Sequence, residues 1–334
     1  MISHLPINQI PPWTRILFPE STDIRVIMAV IGLQRAGIIE PVLLGSQEAI
    51  ISTFRASWYT DDERRWALED IEIIPLDPNP QETLVAEYSL KKWISIDEAK
   101  KLFPLDLAQA AAFLREWRVD GVVSGSIATT ADVIRTGYYG LGLMPDRRIS
   151  GEFLMIPWEK SIQSDIYTIG DSAVTPEPSS SELVEIARSL VETHELFYPW
   201  VTPRVAFLSF STHESGIWAS ADKVREAVRL FREKYREIEC DGPIQFDAAI
   251  DQDIYLSKTK GKWTLTGKAN ILIFPDLDSG NIGYKMMEQV GGYKAIGPIL
   301  TGFSYPGWSD LSRGTTIETI MDMAYVTAIR GLKK

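Results

Sequence analysis

The stretch RILFPESTDIRVIMAVIGLQRAGIIEPVLLG, residues 15–45, decides the fold class. A short apolar run closes at Pro19, apolar residues then recur at helical spacing as far as Gly37, and a second short apolar run ends at Gly45. This succession of strand, helix and strand is the repeating unit of a parallel sheet covered by helices. We therefore predict an α/β protein.

The same alternation returns further along the chain, in DIEIIPLD, DGVVSG, RVAFLSF and NILIFPD. Between residues 145 and 182 the helical spacing gives way to strand-like runs and turn residues, which indicates a crossing into a second domain. A chain of 334 residues is long enough for roughly two domains. We predict a first α/β domain formed by residues 1–148 and 297–334, and a second formed by residues 149–296.

Composition limits the classes of partner. The chain is 45% hydrophobic and 24% charged, and its formal charge of −11 argues against nucleic acid or an anionic membrane as a ligand. No run of about 18 apolar residues is present, and the first 20 residues lack the pattern of a signal peptide. The expected location is the cytoplasm, and any anionic ligand must be bound by local donors.

A metal site is not expected. His4, His194 and His213 are far apart and lack ligand spacing, so each is interpreted as a solvated or packed side chain. The single Cys240 excludes an intramolecular disulfide and a cysteine metal cluster, and it is predicted to be a small buried side chain.

The segment DGVVSGSIATTADVIRTGYYG, residues 120–140, is the first candidate site. Its strand leads into a turn of small residues, Ser124, Gly125 and Ser126, and Thr129 or Thr130 can cap the helix that follows. A glycine turn before a helix N-terminus can bind an anion, because free backbone N–H groups and the helix dipole both point at it.

The helix of this segment is expected to pack through Ile134 and Tyr138, and Arg135 can add a guanidinium to the same site. A plain strand-to-helix connection capped by threonine explains the segment equally well.

Two other segments are less specific. In residues 170–187 Ser179 and Glu182 form a capping box, and in FLSFSTHESG, residues 207–216, a solvated loop is favoured over a phosphate contact.

The segment DLSRGTTIETIMD, residues 310–322, is the last candidate. Thr315 and Glu318 fit a capping box, which predicts a helix start at Thr315 and leaves Ser312 and Arg313 in the preceding loop. Thr319 and Asp322 are expected on the side of the helix opposite its apolar face. The alternative is a surface helix preceded by an ordinary loop arginine.

Taken together, several motifs resemble the phosphate acetyltransferase family in order over nearly the whole chain. They are RILFPE, PVLLG, DGVVSGSIATTADVIR, GDSAV, RVAFLSFST, DGPIQFDAAI, GKANILIFPDLDSGNIGYK and DLSRGTTIETI. The resemblance implies two three-layer α/β domains with a cleft between them, as in isocitrate and isopropylmalate dehydrogenases, and a homodimer. It also implies interconversion of acetyl-CoA plus phosphate with acetyl phosphate plus CoA, by direct attack of the CoA thiol in a ternary complex. CoA is then a substrate, and no cofactor or metal is expected.

The resemblance also assigns roles. Ser312 matches the serine that hydrogen-bonds the reacting carbonyl, Arg313 the arginine that steadies developing charge, and Arg135 a second substrate-binding arginine. The SGSIATT turn, which contains Ser124, Gly125, Ser126, Thr129 and Thr130, matches the loop on the phosphate side.

Three positions depart from the family pattern. Thr319 replaces the aspartate proposed as the base for the thiol, and Asp322, one turn further along the helix, is the predicted substitute. Lys91 replaces a substrate-binding arginine, and Ser172 replaces a cysteine. Two hypotheses remain open at this point: a phosphate acyltransferase with a relocated or dispensable base, or a weak or inactive homologue that binds CoA or acyl phosphate as a sensor or scaffold.

Overall fold

The strands in the described part of the chain form two sheets, one in each compact unit. The structure is a computed structural model that describes residues 5–55, 68–79, 81–158, 165–216, 218–261 and 264–332. One unit consists of Met1–Pro145 and Phe303–Lys334, and the other of Asp146–Gly302. The sequence placed these boundaries near residues 148 and 297.

The first unit contains a parallel five-stranded sheet in the order β11-β4-β1-β2-β3. Its strands are β1 (Arg15–Phe18), β2 (Glu40–Leu44), β3 (Glu72–Ile74), β4 (Gly121–Ser124) and β11 (Trp308–Asp310). The predicted strand, helix and strand at the start of the chain are therefore β1, an intervening helix and β2, paired in parallel. The α/β class is confirmed.

Helices alternate with these strands along the described part of the chain. They are α1 (Ile24–Ala36), α2 (Gln47–Arg55), α3 (Gln81–Lys92), α4 (Ile96–Lys100), α5 (Leu105–Arg115), α6 (Thr130–Gly140) and α12 (Ile317–Gly331), with a short 3₁₀ helix at Ile7–Gln9. Helix α1 ends as its sequence predicts, because Gly37 adopts the left-handed conformation, with φ 63°, that favours glycine after a helix.

The prediction that Tyr138 lies on the inner face of α6 is wrong, whereas Ile134 is half-buried. Tyr138 is 42% exposed, whereas Val133 and Gly137 are buried. A Cβ atom added to Gly137 would lie 2.7 Å from the indole nitrogen of Trp308 on β11. The helix therefore packs through its small residues, which allow the backbone to approach that tryptophan closely.

The second unit contains a mixed six-stranded sheet in the order β10-β5-β6-β9-β7-β8. Its strands are β5 (Ser150–Pro157), β6 (Tyr167–Gly170), β7 (Arg204–Leu208), β8 (Glu239–Ile244), β9 (Ile271–Ile273) and β10 (Tyr293–Thr301). Strand β5 is antiparallel to both neighbours, and the other pairs are parallel. Alternate residues of β7 enter two different apolar cores, so both faces of this sheet are covered.

The helices described here are α7 (Ser180–Phe197), α8 (Ala219–Lys234), α9 (Phe246–Ile250), α10 (Gln252–Lys258) and α11 (Leu277–Gln289). The capping box predicted for Ser179 and Glu182 is confirmed at the start of α7. Cys240 is buried, as predicted, and burial raises the pKa of its thiol. None of the described helices combines the length and the apolarity needed to cross a bilayer.

Candidate active site

Two candidate segments leave the first sheet at the same edge. Strands β4 and β11 are parallel neighbours, and Ser124 at the end of β4 is paired in register with Asp310 at the end of β11. The turn after Ser124 and the loop that contains Ser312 and Arg313 therefore begin side by side. The carboxyl edge of an open α/β sheet is where ligands bind in such folds.

The turn after β4 is held by Glu20, which follows β1 and was missed at the sequence level. The two carboxylate oxygens of Glu20 accept hydrogen bonds from Ser126 N (2.7 Å), Ser126 Oγ (2.9 Å), Ile127 N (3.0 Å) and Ala128 N (2.6 Å). Glu20 is 3% exposed. The prediction of an anion site made by these backbone N–H groups therefore needs correction, because a carboxylate of the same chain already occupies them.

Arg25, in the first turn of α1, connects the two segments. Its Nη1 donates to the carbonyl oxygens of Arg313 (2.8 Å) and Thr315 (3.0 Å), and its Nη2 donates to the carbonyl oxygen of Ser126 (3.1 Å). An ion pair with Asp23, 2.6 Å long, orients the guanidinium. Burial opposes ionisation of Asp23, but its bonds with Arg25 outweigh burial and lower its pKa. One side chain thus fixes the spacing of the two loops.

The loop after β11 presents its charged residue to solvent. The Thr315 N–H donates to the Ser312 carbonyl oxygen at 2.9 Å, which closes a turn around Arg313 and Gly314. Ser312, Arg313 and Gly314 are all exposed. The side chains of Ser312 and Arg313 are therefore available to a ligand, while the backbone carbonyl of Arg313 is held by Arg25.

Helix α12 begins one residue later than predicted. Its N-cap is Thr316, not Thr315, and the Thr316 hydroxyl accepts the N–H of Thr319 at 3.2 Å. The hydroxyls of Thr316 and Thr319 are also 3.1 Å apart, within hydrogen-bonding distance. The predicted capping box of Thr315 and Glu318 is wrong, because Thr315 is 6% exposed and Thr316 takes the cap position.

Asp322, the predicted substitute base, lies on the buried part of α12. It is 6% exposed, and its negative charge, together with burial, raises the pKa of the Tyr325 hydroxyl. A base for a substrate thiol must come within hydrogen-bonding distance of it. The burial of Asp322 therefore weighs against direct contact with a substrate.

The start of α6 is capped as predicted, by Thr129. The Thr129 hydroxyl accepts the N–H of Asp132 at 3.1 Å and donates to the Asp132 carboxylate at 2.6 Å. Arg135 is half-buried and pairs with Asp132 at 2.8 Å, and its Nη1 also donates to the Leu102 carbonyl oxygen. Hydrogen bonds from Thr129 and Arg135 outweigh burial and lower the pKa of Asp132. Arg135 thus lies beside the capped end of the helix, with Asp132 as its counter-ion.

Of the remaining predicted residues, Lys91 is not brought to this edge of the sheet. Lys91 is exposed, and its ammonium lies 5.8 Å from the ring centre of Tyr139, near the far end of α6. Tyr139 follows Thr130 by nine residues, which is about 14 Å along the helix axis. Ser172 belongs to the second unit, where it is fully buried. Its hydroxyl has no hydrogen-bonding partner among the described residues.

Asp310 is a buried carboxyl that the sequence did not single out as a site residue. It is fully buried, and neither carboxylate oxygen has a partner in hydrogen-bonding geometry within the described residues. Burial, and to a smaller extent the charge of Glu20, raise its pKa to about 7, although the Thr130 hydroxyl and the Leu311 N–H oppose these effects. This end of the sheet thus contains a group that titrates near neutral pH.

A separate polar cluster surrounds Asp241 in the second unit. The buried carboxylate of Asp241 accepts hydrogen bonds from Tyr255 Oη (2.5 Å) and Arg232 Nη2 (3.1 Å), and it lies 2.9 Å from His213 Nε2. These bonds outweigh burial and lower the pKa of Asp241. His213, for which the sequence offered no partner, is thus paired with a residue of the DGPIQFDAAI motif. Within the described ranges, no three histidine, cysteine, aspartate or glutamate side chains converge to hold a metal.

The comparisons with known proteins agree with one another. Residues 12–328 match the model of a family described as phosphate acetyl/butaryl transferase. A phosphate acetyltransferase of Clostridium acetobutylicum is 35% identical, over 95% of this chain and 94% of its own length. A phosphate acetyltransferase of Nitratidesulfovibrio vulgaris is also 35% identical over 95% of this chain, but the match spans only 43% of that longer protein. The crystal structure of a phosphotransacetylase from Streptococcus pyogenes superposes with a TM-score of 0.83 at 33% identity, covering 97% of this chain and 96% of the other.

Proposed function

Because the chain belongs to the phosphate acetyl/butaryl transferase family, we propose that it transfers an acetyl group between CoA and phosphate. The resemblance drawn from the sequence is confirmed. The names of the relatives favour an active phosphate acetyltransferase, and none of them favours a sensor or scaffold.

The reaction needs three kinds of group. The sulfur of CoA forms a bond to the acetyl carbonyl carbon of acetyl phosphate, and the bond from that carbon to the phosphate oxygen breaks. A base must take the thiol proton, because a thiol with a pKa of about 8.5 is mostly protonated at neutral pH. Donors must stabilise the carbonyl oxygen as it gains charge, and a cation must stabilise the departing phosphate.

The observation that carries the proposal is the turn around Arg313, held beside the β4 turn by Arg25. In this proposal the exposed hydroxyl of Ser312 donates to the reacting carbonyl oxygen, and Arg313 binds the phosphate. Arg135 and the hydroxyl of Thr130 assist at the N-terminus of α6, where the helix dipole favours an anion. The backbone N–H groups of Ser126, Ile127 and Ala128 have no part in it, because Glu20 occupies them.

Position 319, where the family resemblance places the base for the thiol, holds a threonine. A threonine hydroxyl at position 319 cannot accept the thiol proton near neutral pH. Positioning and electrostatic stabilisation still accelerate such a reaction when a general base is absent, and loss of a base typically costs about 10² to 10⁴ in rate. We therefore expect turnover that is measurable but slower than it would be with an aspartate at position 319.

The test is formation of acetyl-CoA from acetyl phosphate and CoA. Arg313→Ala should lower kcat/KM by at least about a hundredfold, because it removes the cation beside the departing phosphate. Arg35→Ala, at the exposed far end of α1, is the matched control and should keep full activity. If the native protein forms acetyl-CoA no faster than Arg313→Ala does, the proposal is refuted.

Two further variants assign the base. Thr319→Asp should raise the rate by about a hundredfold if the missing carboxylate limits the native protein. Asp322→Asn should abolish activity if Asp322 is the base, and should leave most of it if burial keeps Asp322 from the thiol.

A thermal shift with CoA tests binding alone, since a ligand at about 100 times its dissociation constant adds roughly 2.7 kcal/mol of stability.

The proposal extends to the assembly and to the location of the protein. The family resemblance supports a homodimer, which light scattering of the purified protein can test. CoA and phosphate are proposed as substrates, with no bound cofactor, and a cytoplasmic location is proposed for a reaction that uses them. Cell fractionation measures that location directly.

A further inference from the structure

The proposed reaction leaves the carboxyl of Asp310 without a role, although it lies next to the proposed phosphate-binding loop. Asp310 is the last residue of β11, and Ser312 follows two residues later. Because two residues of extended chain span at most about 7 Å, the Cα atoms of Asp310 and Ser312 lie within that distance, and an anion bound to the Ser312 hydroxyl lies on the order of 10 Å from this carboxyl.

The backbone closes over Asp310 from the β4 side. Gly125 has φ 100°, a conformation that favours glycine, and a Cβ atom at that position would overlap Asp310 Oδ1 and lie 2.7 Å from Leu311 N. The carboxyl is therefore enclosed directly beneath the turn. Its oxygens have no partner in hydrogen-bonding geometry within the described residues, and the nearby Thr130 hydroxyl and Leu311 N–H favour its charged form less than burial opposes it.

Among the described residues, the charge on another element that raises the pKa of Asp310 is negative. It belongs to Glu20, which holds the turn from the end of β1, and the nearby Thr130 of α6 is neutral. Asp106, at the start of α5, feels the same Glu20 charge, and burial followed by that charge raises its pKa as well. Asp310 is thus repelled by the carboxylate of Glu20.

A bound anion adds to this repulsion. A doubly charged anion about 12 Å away raises the pKa of a carboxyl by on the order of 2, at an effective dielectric constant near 20. The carboxyl of Asp310 is half protonated at about pH 7 before any anion binds. It is therefore poised to become protonated when an anion arrives.

We propose that Asp310 is a positioning residue that couples anion binding at the Ser312–Arg313 loop to the uptake of one proton on its own carboxyl. The proton removes a negative charge from beneath the turn, so the phosphate of the substrate is not repelled. When the phosphate leaves, the proton returns to solvent. The proposal rests on the proposed function for the position of the anion.

Sulfate is the probe, because it stays doubly charged across the relevant pH range whereas phosphate titrates within it. Calorimetric titration in two buffers of different ionisation enthalpy counts the protons taken up on binding. At about pH 8 and low salt, the native protein should take up roughly 0.8 proton per sulfate. From pH 7 to pH 9 the dissociation constant of sulfate should rise by about 25-fold.

Three variants separate the possible origins of the effect. Asp310→Asn should abolish the proton uptake and keep the dissociation constant within about twofold across this pH range. Asp106→Asn is the matched control, with a raised pKa near the same Glu20 charge, and should behave as the native protein. Arg313→Ala should weaken sulfate binding, which ties the measured site to this loop.

If Asp310→Asn is insoluble, infrared difference spectra of the native protein replace it, because sulfate binding must then increase the absorption of a protonated carboxylic acid. The proposal is overturned if the native protein and Asp310→Asn take up equal numbers of protons, or if neither takes up any. It is also overturned if Arg313→Ala leaves sulfate binding unchanged. Acetyl-CoA formation by the same preparation tests the proposed function separately, since it does not depend on the proton count.

Discussion

Glu20 is the residue whose replacement tests the organisation of the site most directly. Its carboxylate accepts four hydrogen bonds from the turn after β4, two on each oxygen. Glu20→Gln keeps the shape of the side chain but turns one oxygen into an NH2 group. That group faces donors whichever way the amide is oriented.

The magnitude follows from the number of bonds that the amide cannot make. Two of the four bonds are lost, and a hydrogen bond to a charged acceptor contributes about 1.5 to 3 kcal/mol. Taking the lower value, because Ile127 is half exposed and water can reach its N–H, the turn loses about 3 kcal/mol of stability against local opening. A change of this size corresponds to roughly a hundredfold faster exchange of the amide hydrogens.

Hydrogen exchange followed by mass spectrometry measures this on a peptide that spans residues 121–135. We expect the three amides at 126–128 to exchange about a hundredfold faster in Glu20→Gln, with peptides of the second unit unchanged. Glu48→Gln is the control, because it alters an exposed carboxylate whose partner is the hydroxyl of Ser46. Exchange at 126–128 within twofold of the native protein would refute the assignment of Glu20 as the acceptor for the turn.

Three other changes have defined outcomes. The pKa of Asp310 is higher in the folded protein than in the unfolded chain. Between about pH 4 and 7 the native state therefore holds a proton that the unfolded state has released. The free energy of unfolding consequently falls as the pH rises through that window. Asp310→Asn lacks this loss, and its stability relative to the native protein should rise by up to about 4 kcal/mol between pH 4 and pH 8, as measured by urea unfolding. In Arg25→Lys one ammonium cannot reach the three carbonyl oxygens that the guanidinium binds. The KM for acetyl phosphate should therefore rise by about tenfold in steady-state kinetics. Unchanged kinetics would exclude the role of Arg25 as the connection between the loops. Asp241→Asn should lower the urea midpoint of the second unit by the equivalent of about 3 kcal/mol, because it breaks a buried charged network, and a shift near zero would contradict that role.

The fold followed from the sequence wherever a local signal determines the structure. The helix that ends at Gly37 and the capping box at Ser179 depend on residues only a few positions apart. The residue types at those positions therefore predict both features. The inner face of α6 depends instead on Trp308, which is far away in sequence and packs closely against Gly137. Apolar spacing alone pointed to Tyr138, because glycine gives no hydrophobic signal.

The candidate site was predictable only in part, for the same reason. The SGSIATT and DLSRG segments are recognisable as motifs, and the structure brings their strands together in register. The contacts that hold them join residues 106 positions apart for Glu20 and Ser126, and 288 positions apart for Arg25 and Arg313. Such pairs leave no periodicity or spacing in the sequence, and the turn therefore looked open to an external anion when its donors were already satisfied.

The threonine at position 319, which the family resemblance predicts to stand in place of the thiol base, is not explained by the helix that contains it. Thr319 is the third residue of α12, and its N–H is bonded to the Thr316 cap. An aspartate at that position would complete a capping box and would also interact favourably with the helix dipole, so helix stability gives no preference for threonine. Thr319→Asp should consequently fold with unchanged or slightly higher stability, and any change in its rate of acyl transfer then reports on the chemistry of the missing carboxylate. A variant that is less stable than the native protein by more than about 1 kcal/mol would show that the threonine is retained for structural reasons.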